Sequence, residues 1–324
     1  MSTLAVTVLP ALDPDAPGTA ADQGAWGVPP ARRAVEAAGA REVPLGYETE
    51  LLVVAGGVEQ DDLRRAIEEH PAISLVQLPS AGIDAYLETL RATQRDDLVV
   101  TSAKGAYSAP VAEHALALVL ATLRQLQVRA RATSWEDEQR GLSLNGRRVT
   151  IVGAGGIGSE LLRLLQPFDV HVTMVRRRQE AVAGADRTVR AAELDDVLPE
   201  TDVLVVAAAL TEGTTSLLGA RAFEMLPDDA VLVNIARGGL VDTDALVDAL
   251  ASGRLGGAGL DVTDPEPLPD GHPLWSEPRA LVTPHQANTD AMTEPIFEAR
   301  VRANVEALAE GRDPEGVVDV EQGY

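Results

Sequence analysis

The feature that most constrains the fold of this 324-residue chain is a glycine-rich hexapeptide between a strand pattern and a helix pattern. The apolar run Val149-Thr-Ile-Val152 leads into Gly153-Ala-Gly-Gly-Ile-Gly158, and leucines at helical spacing follow. G-x-G-x-x-G in this context is typical of the first βα turn of a dinucleotide-binding sheet. A plain turn in a sheet protein is the alternative, but the strand and helix patterns on both sides of the hexapeptide favour the dinucleotide-binding interpretation.

Each glycine of the hexapeptide has a physical role in that interpretation. Gly153 permits the tight turn, Gly155 lets the backbone approach a pyrophosphate, and Gly158 lets the helix pack close to the strand. The free N–H groups and positive dipole end of the helix favour an anion there. We therefore expect a pyrophosphate to be bound by residues Gly153, Gly155, Gly156, Ile157 and Gly158.

The second predicted strand, 170–175, ends in three consecutive arginines, beginning with Arg176. An acidic residue roughly 20 positions after the glycines normally binds the adenosine ribose hydroxyls. No acidic residue lies between the end of this strand and Glu180, and Arg176 lies 18 residues after Gly158. We interpret Arg176 and Arg177 as a clamp for a 2′-phosphate, so that NADP(H) is preferred and NAD(H) remains possible. A solvated basic turn is the alternative.

Alternating strand and helix patterns extend over most of the chain and predict an α/β fold with two doubly wound parallel-sheet domains. The predicted strands of the first series are 4–9, 51–55, 74–78 and 98–101. The six predicted strands of the second series are 148–152, 170–175, 202–207, 230–235, 257–261 and 280–283. We expect a substrate-binding domain of residues 1–100 plus 288–324, of flavodoxin-like type, with a Rossmann domain of residues 101–287 inserted in it.

Three charged or ionisable residues follow strands of the second series, and prolines beside Glu266 and His285 make those two loops stiff. Arg237 follows the strand 230–235, Glu266 follows 257–261, and His285 follows 280–283. Ligands of open α/β sheets bind beyond the carboxyl ends of the strands. The remaining histidines are interpreted as structural; they are His70, His114, His171 and His272.

These three residue types suit the reduction of a ketone. A developing alkoxide needs a positioned proton donor, and histidine serves that role near neutral pH. A neighbouring carboxylate holds the imidazole tautomer, and a guanidinium binds a substrate carboxylate through two parallel hydrogen bonds. We expect Arg237 to bind and polarise the substrate, His285 to act as general acid/base, and Glu266 to orient His285.

Composition excludes several other classes of function. The 50 acidic residues outnumber the 27 basic ones, and a net charge of −23 opposes binding to nucleic acid or to an anionic membrane. The absence of cysteine excludes disulfides and thiolate ligands, and we expect no metal site. The first ten residues resemble a strand and not a signal peptide, so a cytoplasmic protein is expected.

Four segments together resemble the D-isomer-specific 2-hydroxyacid dehydrogenase family in order and spacing, over about residues 74 to 310. They are Gly153–Gly158, NIARGGLVD (234–242), GLDVTDPEP (259–267) and TPHQA (283–287). The resemblance implies hydride transfer between NAD(P)H and a small 2-keto acid, giving the D-2-hydroxy acid. Arg237, Glu266 and His285 match the catalytic residues of that family.

The same resemblance implies further contacts. Ser80, Ala81 and Gly82 correspond to a loop that holds the substrate carboxylate, together with Arg237 and His285; a plain strand-to-helix turn is the alternative for this segment. Ala236 and Asp261 stand where the nicotinamide side of the cofactor is contacted, although a structural role for either is equally compatible with the sequence. Arg176 departs from the aspartate usual in NAD-dependent members.

The family also implies a homodimer, which suits the apolar helix pattern at 109–123 because few of its residues could face water. The alternative from another class is a nucleotide-sensing, corepressor-like binding protein of the same fold. The sequence leaves open which 2-keto acid is the substrate.

Overall fold

The computed structural model describes residues 3–10, 26–135, 137–178 and 180–323. The chain divides into two compact units, one of residues 1–107 with 289–324 and one of residues 108–288.

The first unit consists of a parallel sheet and the helices that cover it. Its strands are β1 (Ala5–Leu9), β2 (Arg41–Glu42), β3 (Leu51–Val54), β4 (Leu75–Gln77) and β5 (Val99–Thr101). Its α-helices are α1 (Val28–Ala37), α2 (Gln60–Glu69), α3 (Leu87–Ala92) and α11 (Asp290–Glu310). The strand order is β2-β1-β3-β4-β5, which is the flavodoxin-like order.

Alternation along the buried strands decides which helices cover each face of this sheet. Leu51 and Val53 of β3 pack with residues of α1 and α11, whereas Leu52 and Val54 pack with residues of α2 and α3. Successive side chains of a strand point to opposite faces, so four consecutive apolar residues require helices on both. The short strand β2 was not predicted, since Arg41 and Glu42 are both exposed at the sheet edge.

The second unit is a larger sheet of the same kind. Its strands are β6 (Arg148–Val152), β7 (His171–Arg176), β8 (Arg187–Arg190), β9 (Val203–Val206), β10 (Val231–Asn234), β11 (Gly257–Leu260) and β12 (Ala280–Val282). Its α-helices are α4 (Ser108–Leu123), α5 (Leu126–Arg129), α6 (Gly156–Leu165), α7 (Leu194–Val197), α8 (Ala220–Met225), α9 (Thr243–Ala251) and α10 (Pro273–Ser276).

All strand pairs of this unit are parallel, in the order β12-β11-β10-β9-β6-β7-β8. The predicted fold class, two doubly wound parallel-sheet domains, is confirmed. The expected count of six strands was wrong, because β8 adds a seventh. This edge strand has only one buried side chain, Val189, so its sequence lacks the apolar run of a central strand.

Helix α4 packs against α6 and against strands β10 and β11. Helix α4 approaches β11 closely because the strand has glycines on the face that meets the helix. A Cβ on Gly259 would lie 3.0 Å from the Cβ of Leu118. Ala115, Leu118 and Val119 are buried within the unit, while Leu116 is half-buried and Ala117 is exposed. Part of the apolar surface of α4 is therefore covered by its own unit.

Within the described ranges, we find no helix with the length and apolar character needed to cross a membrane.

Candidate active site

The glycine-rich loop joins β6 to α6 in the second unit. Gly153 has a left-handed backbone with φ of 115°, and its N–H donates to the carbonyl of Val175 at 2.8 Å. A Cβ on Gly153 would overlap the Ala207 carbonyl, and one on Gly158 would overlap the carbonyl oxygen of Gly153. The chain's own packing therefore requires glycine at these two positions.

Gly155 differs from its two neighbours in the motif. A Cβ built on Gly155 would meet no atom within 4 Å, so nothing in the described protein requires a glycine there. Gly155 is also the residue that precedes α6, whose first N–H groups lack helical partners. An open approach to the start of a helix fits the pyrophosphate of a dinucleotide, which needs space and backbone donors at the same point.

Arg176 is the last residue of β7, next to β6 in the sheet. Its guanidinium donates to the carbonyl of Glu180 at 3.1 Å and lies 4.0 Å from the Glu180 carboxylate. The Arg176 side chain is one-quarter exposed. The Glu180 carboxylate is 72% exposed, so this long ion pair contributes little free energy and a bound anion can replace it.

Arg237 follows β10 and is held by the side chain of Asn234. That buried amide accepts a hydrogen bond from Ala236 N at 3.1 Å and donates to the carbonyl of Arg237 at 2.9 Å. The Arg237 Nη1 atom donates to the carbonyl of Ala236 at 2.7 Å, and its side chain is half-buried. These two hydrogen bonds of Asn234 fix the backbone conformation of the short loop that carries Arg237.

Glu266 and His285 are in contact beyond the carboxyl ends of strands β11 and β12. His285 Nδ1 lies 2.6 Å from Glu266 Oε1, and the two side chains are 49% and 42% exposed, respectively. A carboxylate only accepts hydrogen bonds, so the proton of this bond is on Nδ1. The Nε2 atom is then the one available to another molecule, as a proton donor when the ring is protonated.

The segment that carries His285 is organised by Asp261, which is 2% exposed and directly follows β11. The Asp261 carboxylate accepts from Thr283 Oγ1 at 2.6 Å, from Gln286 N at 2.9 Å and from Ala287 N at 3.0 Å. His285 itself has φ of 50°, a left-handed conformation that is uncommon for non-glycine residues. Both carboxylate oxygens of Asp261 thus already bind the protein.

Two residues at this site were not predicted from the sequence. His114 of α4 contacts Thr283 Oγ1 at 3.0 Å, although it was interpreted as a structural histidine. Gly238 packs so tightly that a Cβ would lie 2.5 Å from Asp264 N and overlap the carbonyl group of Thr263. In the sequence, Gly238 is marked only by its place directly after Arg237. Nothing in the sequence marks His114, because its contact with Thr283 joins residues 169 positions apart.

In the first unit, the segment Ser80-Ala-Gly82 follows β4. The Ser80 hydroxyl donates to the carbonyl of Gly82 at 2.6 Å, and Ser102 Oγ donates to the carbonyl of Ala81 at 3.3 Å. Tyr107 donates its phenol proton to the carbonyl of Pro79 at 2.9 Å, and burial raises the pKa of that phenol. The loop is therefore fixed through its carbonyl groups, while no described group accepts from the N–H of Ala81 or Gly82.

Comparison with known proteins places this geometry in a family. Residues 115–287 match the family model described as "D-isomer specific 2-hydroxyacid dehydrogenase, NAD binding domain". That range includes the glycine-rich loop, Arg237, Glu266 and His285.

Individual relatives agree with the family match. The glyoxylate reductase of Thermofilum pendens is 30% identical over 262 residues, which are 78% of this chain and 76% of that protein. The human glyoxylate reductase/hydroxypyruvate reductase is 36% identical over 182 residues, or 54% of this chain and 56% of that protein. A D-isomer specific 2-hydroxyacid dehydrogenase of Xanthobacter autotrophicus, solved in complex with NADPH and MES, is 26% identical with a TM-score of 0.79, and each chain is fully covered.

Proposed function

We propose that this chain, which belongs to the D-isomer specific 2-hydroxyacid dehydrogenase family, reduces a small 2-keto acid to the D-2-hydroxy acid, with NADPH as the preferred cofactor. The observation that carries the proposal is the contact of 2.6 Å between His285 Nδ1 and Glu266 Oε1 at the carboxyl end of the sheet. An imidazole paired with a carboxylate at this edge can supply the positioned proton donor that the reduction of a ketone needs.

Proton transfer is assigned to His285. When bound, the reduced nicotinamide supplies a hydride to the keto carbon. The protonated His285 donates its Nε2 proton to the keto oxygen, which becomes the hydroxyl group of the product. Glu266 keeps the Nδ1 proton in place and stabilises the cationic ring before the transfer. In the reverse reaction the neutral ring accepts the proton of the hydroxyl group.

Substrate binding is assigned to Arg237 and to the segment Ser80-Ala-Gly82. The planar guanidinium of Arg237 binds the substrate carboxylate and polarises the adjacent carbonyl. The N–H groups of Ala81 and Gly82 supply further donors to the carboxylate, and the small residues at 80–82 leave room for its approach. In a chain with a net charge of −23, such local donors are needed to bind an anion at all.

Cofactor binding is assigned to residues of the second unit. The open space at Gly155 and the start of α6 would hold the pyrophosphate, through the loop from Gly153 to Gly158. Ala236 and Asp261 would lie on the nicotinamide side. Arg176 would exchange its contact with Glu180 for the 2′-phosphate of NADPH, with Arg177 as a second donor. The structure from Xanthobacter autotrophicus, which contains NADPH, supports this choice of cofactor.

Glyoxylate and hydroxypyruvate are the first substrates to examine, since the relatives from Thermofilum pendens and human are named for their reduction. The purified chain should oxidise NADPH when mixed with at least one member of a panel of 2-keto acids, and the product should be the D-enantiomer wherever it is chiral. Tight NADPH binding without turnover of any member would refute the reductase and favour the corepressor-like binding protein.

The cofactor preference has its own test. A charge-assisted hydrogen bond is worth about 1.5–3 kcal/mol, or roughly 10–150-fold in affinity. We expect kcat/KM for NADPH to exceed that for NADH by about tenfold or more, and Arg176→Asp to reverse the order. Arg221→Asp, in an exposed ion pair with Asp195, is the control that changes charge equally elsewhere. An NADH preference in the unmodified chain would leave the arginines as a solvated turn.

A homodimer is proposed from apolar surface near α4. Leu126 of α5 is 51% exposed and Trp135 is 91% exposed, while Leu116 and Leu120 of α4 are half-buried. Contiguous exposed apolar patches mark protein–protein interfaces, and we infer that these side chains belong to one such patch. A symmetric pair of subunits would cover them.

A further inference from the structure

His114 lies on α4, which packs against the strand that ends beside Asp261. Its Nε2 atom is 3.0 Å from Thr283 Oγ1 and 3.5 Å from Asp261 Oδ1. Thr283 Oγ1 is in turn 2.6 Å from Asp261 Oδ1. The His114 side chain is 22% exposed, so most of its surface is inside the protein. These three residues form a hydrogen-bonded series whose middle member, Thr283, lies two residues before His285.

The direction of each bond in this series follows from proton counting. A carboxylate only accepts, so the single hydroxyl proton of Thr283 must be directed to Asp261. The Thr283 oxygen is then an acceptor towards His114, and the proton of that bond must be on His114 Nε2. The series is therefore His114 Nε2–H to Thr283, and Thr283 O–H to Asp261. Donors and acceptors aligned in one direction strengthen one another.

Asp261 transmits this constraint to the segment around His285. Its carboxylate accepts from Thr283 on one side of His285 and from the backbone N–H groups of Gln286 and Ala287 on the other. Its carbonyl accepts from His285 N at 2.7 Å. The left-handed backbone of His285 is uncommon for a non-glycine residue, and these bonds hold the segment in which it occurs and from which the imidazole meets Glu266.

We propose that His114 is a positioning residue for the reductase assigned above, on which this inference rests. By donating from Nε2 to Thr283, it directs the Thr283 hydroxyl onto Asp261 and so holds the segment 283–287 that presents His285 to Glu266. His114 does not touch the substrate or exchange protons with it. Its removal should therefore impair the chemical step while leaving substrate binding largely intact.

Two substitutions at one position separate this role from ordinary packing. His114→Leu removes the donor, whereas His114→Gln retains an N–H group close to the place of Nε2. We expect the leucine variant to lose about 10–100-fold in kcat, since a misplacement of about 1 Å at a catalytic group can have that effect. KM for the keto acid should change less than about threefold, because uniform binding is not removed. The glutamine variant should recover most of the loss.

His171→Leu is the matched control, because His171 is 75% exposed and lies on β7, outside this series. Its kcat should equal that of the unmodified chain. Equal losses in the glutamine and leucine variants would overturn the proposal, because packing and not the donor would then be responsible.

A double-mutant cycle tests the path through Thr283. Thr283→Val removes the same link, so adding His114→Leu to it should lower kcat by less than about threefold further. Independent losses that multiply in the double variant would contradict the series. Thermal unfolding of each variant, followed by circular dichroism, identifies any sample that is not folded at the assay temperature.

A readout without turnover keeps this inference separate from the proposed function. In the chain labelled with ¹⁵N-histidine, we expect the His114 ring to carry its proton on Nε2. Exchange of this proton with water should be faster in Thr283→Val. The His114→Gln spectrum assigns the signal. A chain that turns over no 2-keto acid yet gives this spectrum would overturn the reductase alone. A neutral ring protonated on Nδ1 would overturn the series, whatever the activity.

Discussion

Replacing Gly238 by alanine should disable the site through a steric effect between two loops. Gly238 follows Arg237, and the backbone from Thr263 to Asp264 crosses it on the way to Glu266. A Cβ on Gly238 would lie 2.5 Å from Asp264 N and closer still to the carbonyl group of Thr263. Real Cβ contacts essentially never fall below 3.0 Å, and the atoms contacted here are backbone and not the far end of a flexible side chain.

The size of the effect follows from that overlap. The two loops must separate by about 1 Å, which displaces Glu266, Arg237 or both, and a shift of that size can lower turnover by about 100-fold. Overpacking of this kind also destabilises a protein by about 1–3 kcal/mol. The melting temperature should then fall by several degrees, since 1 kcal/mol corresponds to roughly 2–4 °C in a unit of this size.

The adjacent residue supplies the control. A Cβ on Gly239 would lie 3.3 Å from Cδ2 and 3.5 Å from Cδ1 of Leu210, the far end of a flexible side chain. Gly239→Ala should therefore keep kcat within about threefold, because Leu210 can change rotamer. The assay is NADPH oxidation with a keto acid that the unmodified chain reduces, next to thermal unfolding. Near-normal kcat in Gly238→Ala would refute the argument that this contact holds the two loops in place.

Three further outcomes are expected from the same assays. His285→Ala should lower kcat by roughly 10²–10⁴, the usual effect of a positioned general acid, while NADPH binding measured by calorimetry is retained. Arg237→Lys should raise KM and lower kcat despite its equal charge, because lysine lacks the planar fork; near-normal kinetics would indicate a structural arginine. Leu126→Glu should convert a dimer into monomers in light scattering, whereas an unmodified chain that is already monomeric at micromolar concentration would contradict the proposed interface.

The sequence alone determined the features that depend on short-range sterics and periodicity. Gly153 and Gly158 are explained by turn and packing constraints within one βα unit, and the structure places both where a side chain would overlap the backbone. The apolar runs of central strands were recognisable because both faces of a parallel sheet are buried. The meeting of Glu266 and His285 was also accessible, since carboxyl ends of neighbouring parallel strands lie at one edge.

Only the tertiary structure decided the contacts between residues far apart in sequence. Nothing in the pattern around His114 distinguishes it from the other histidines, because its partner Thr283 lies on a different layer of the unit. The fit of Gly238 against Thr263 depends on the spacing of two loops, and a glycine pattern gives no distances. The edge strand β8 and the direction of the Arg176 side chain likewise depend on neighbours brought together by folding, since exposed polar residues have no periodicity to reveal their partners.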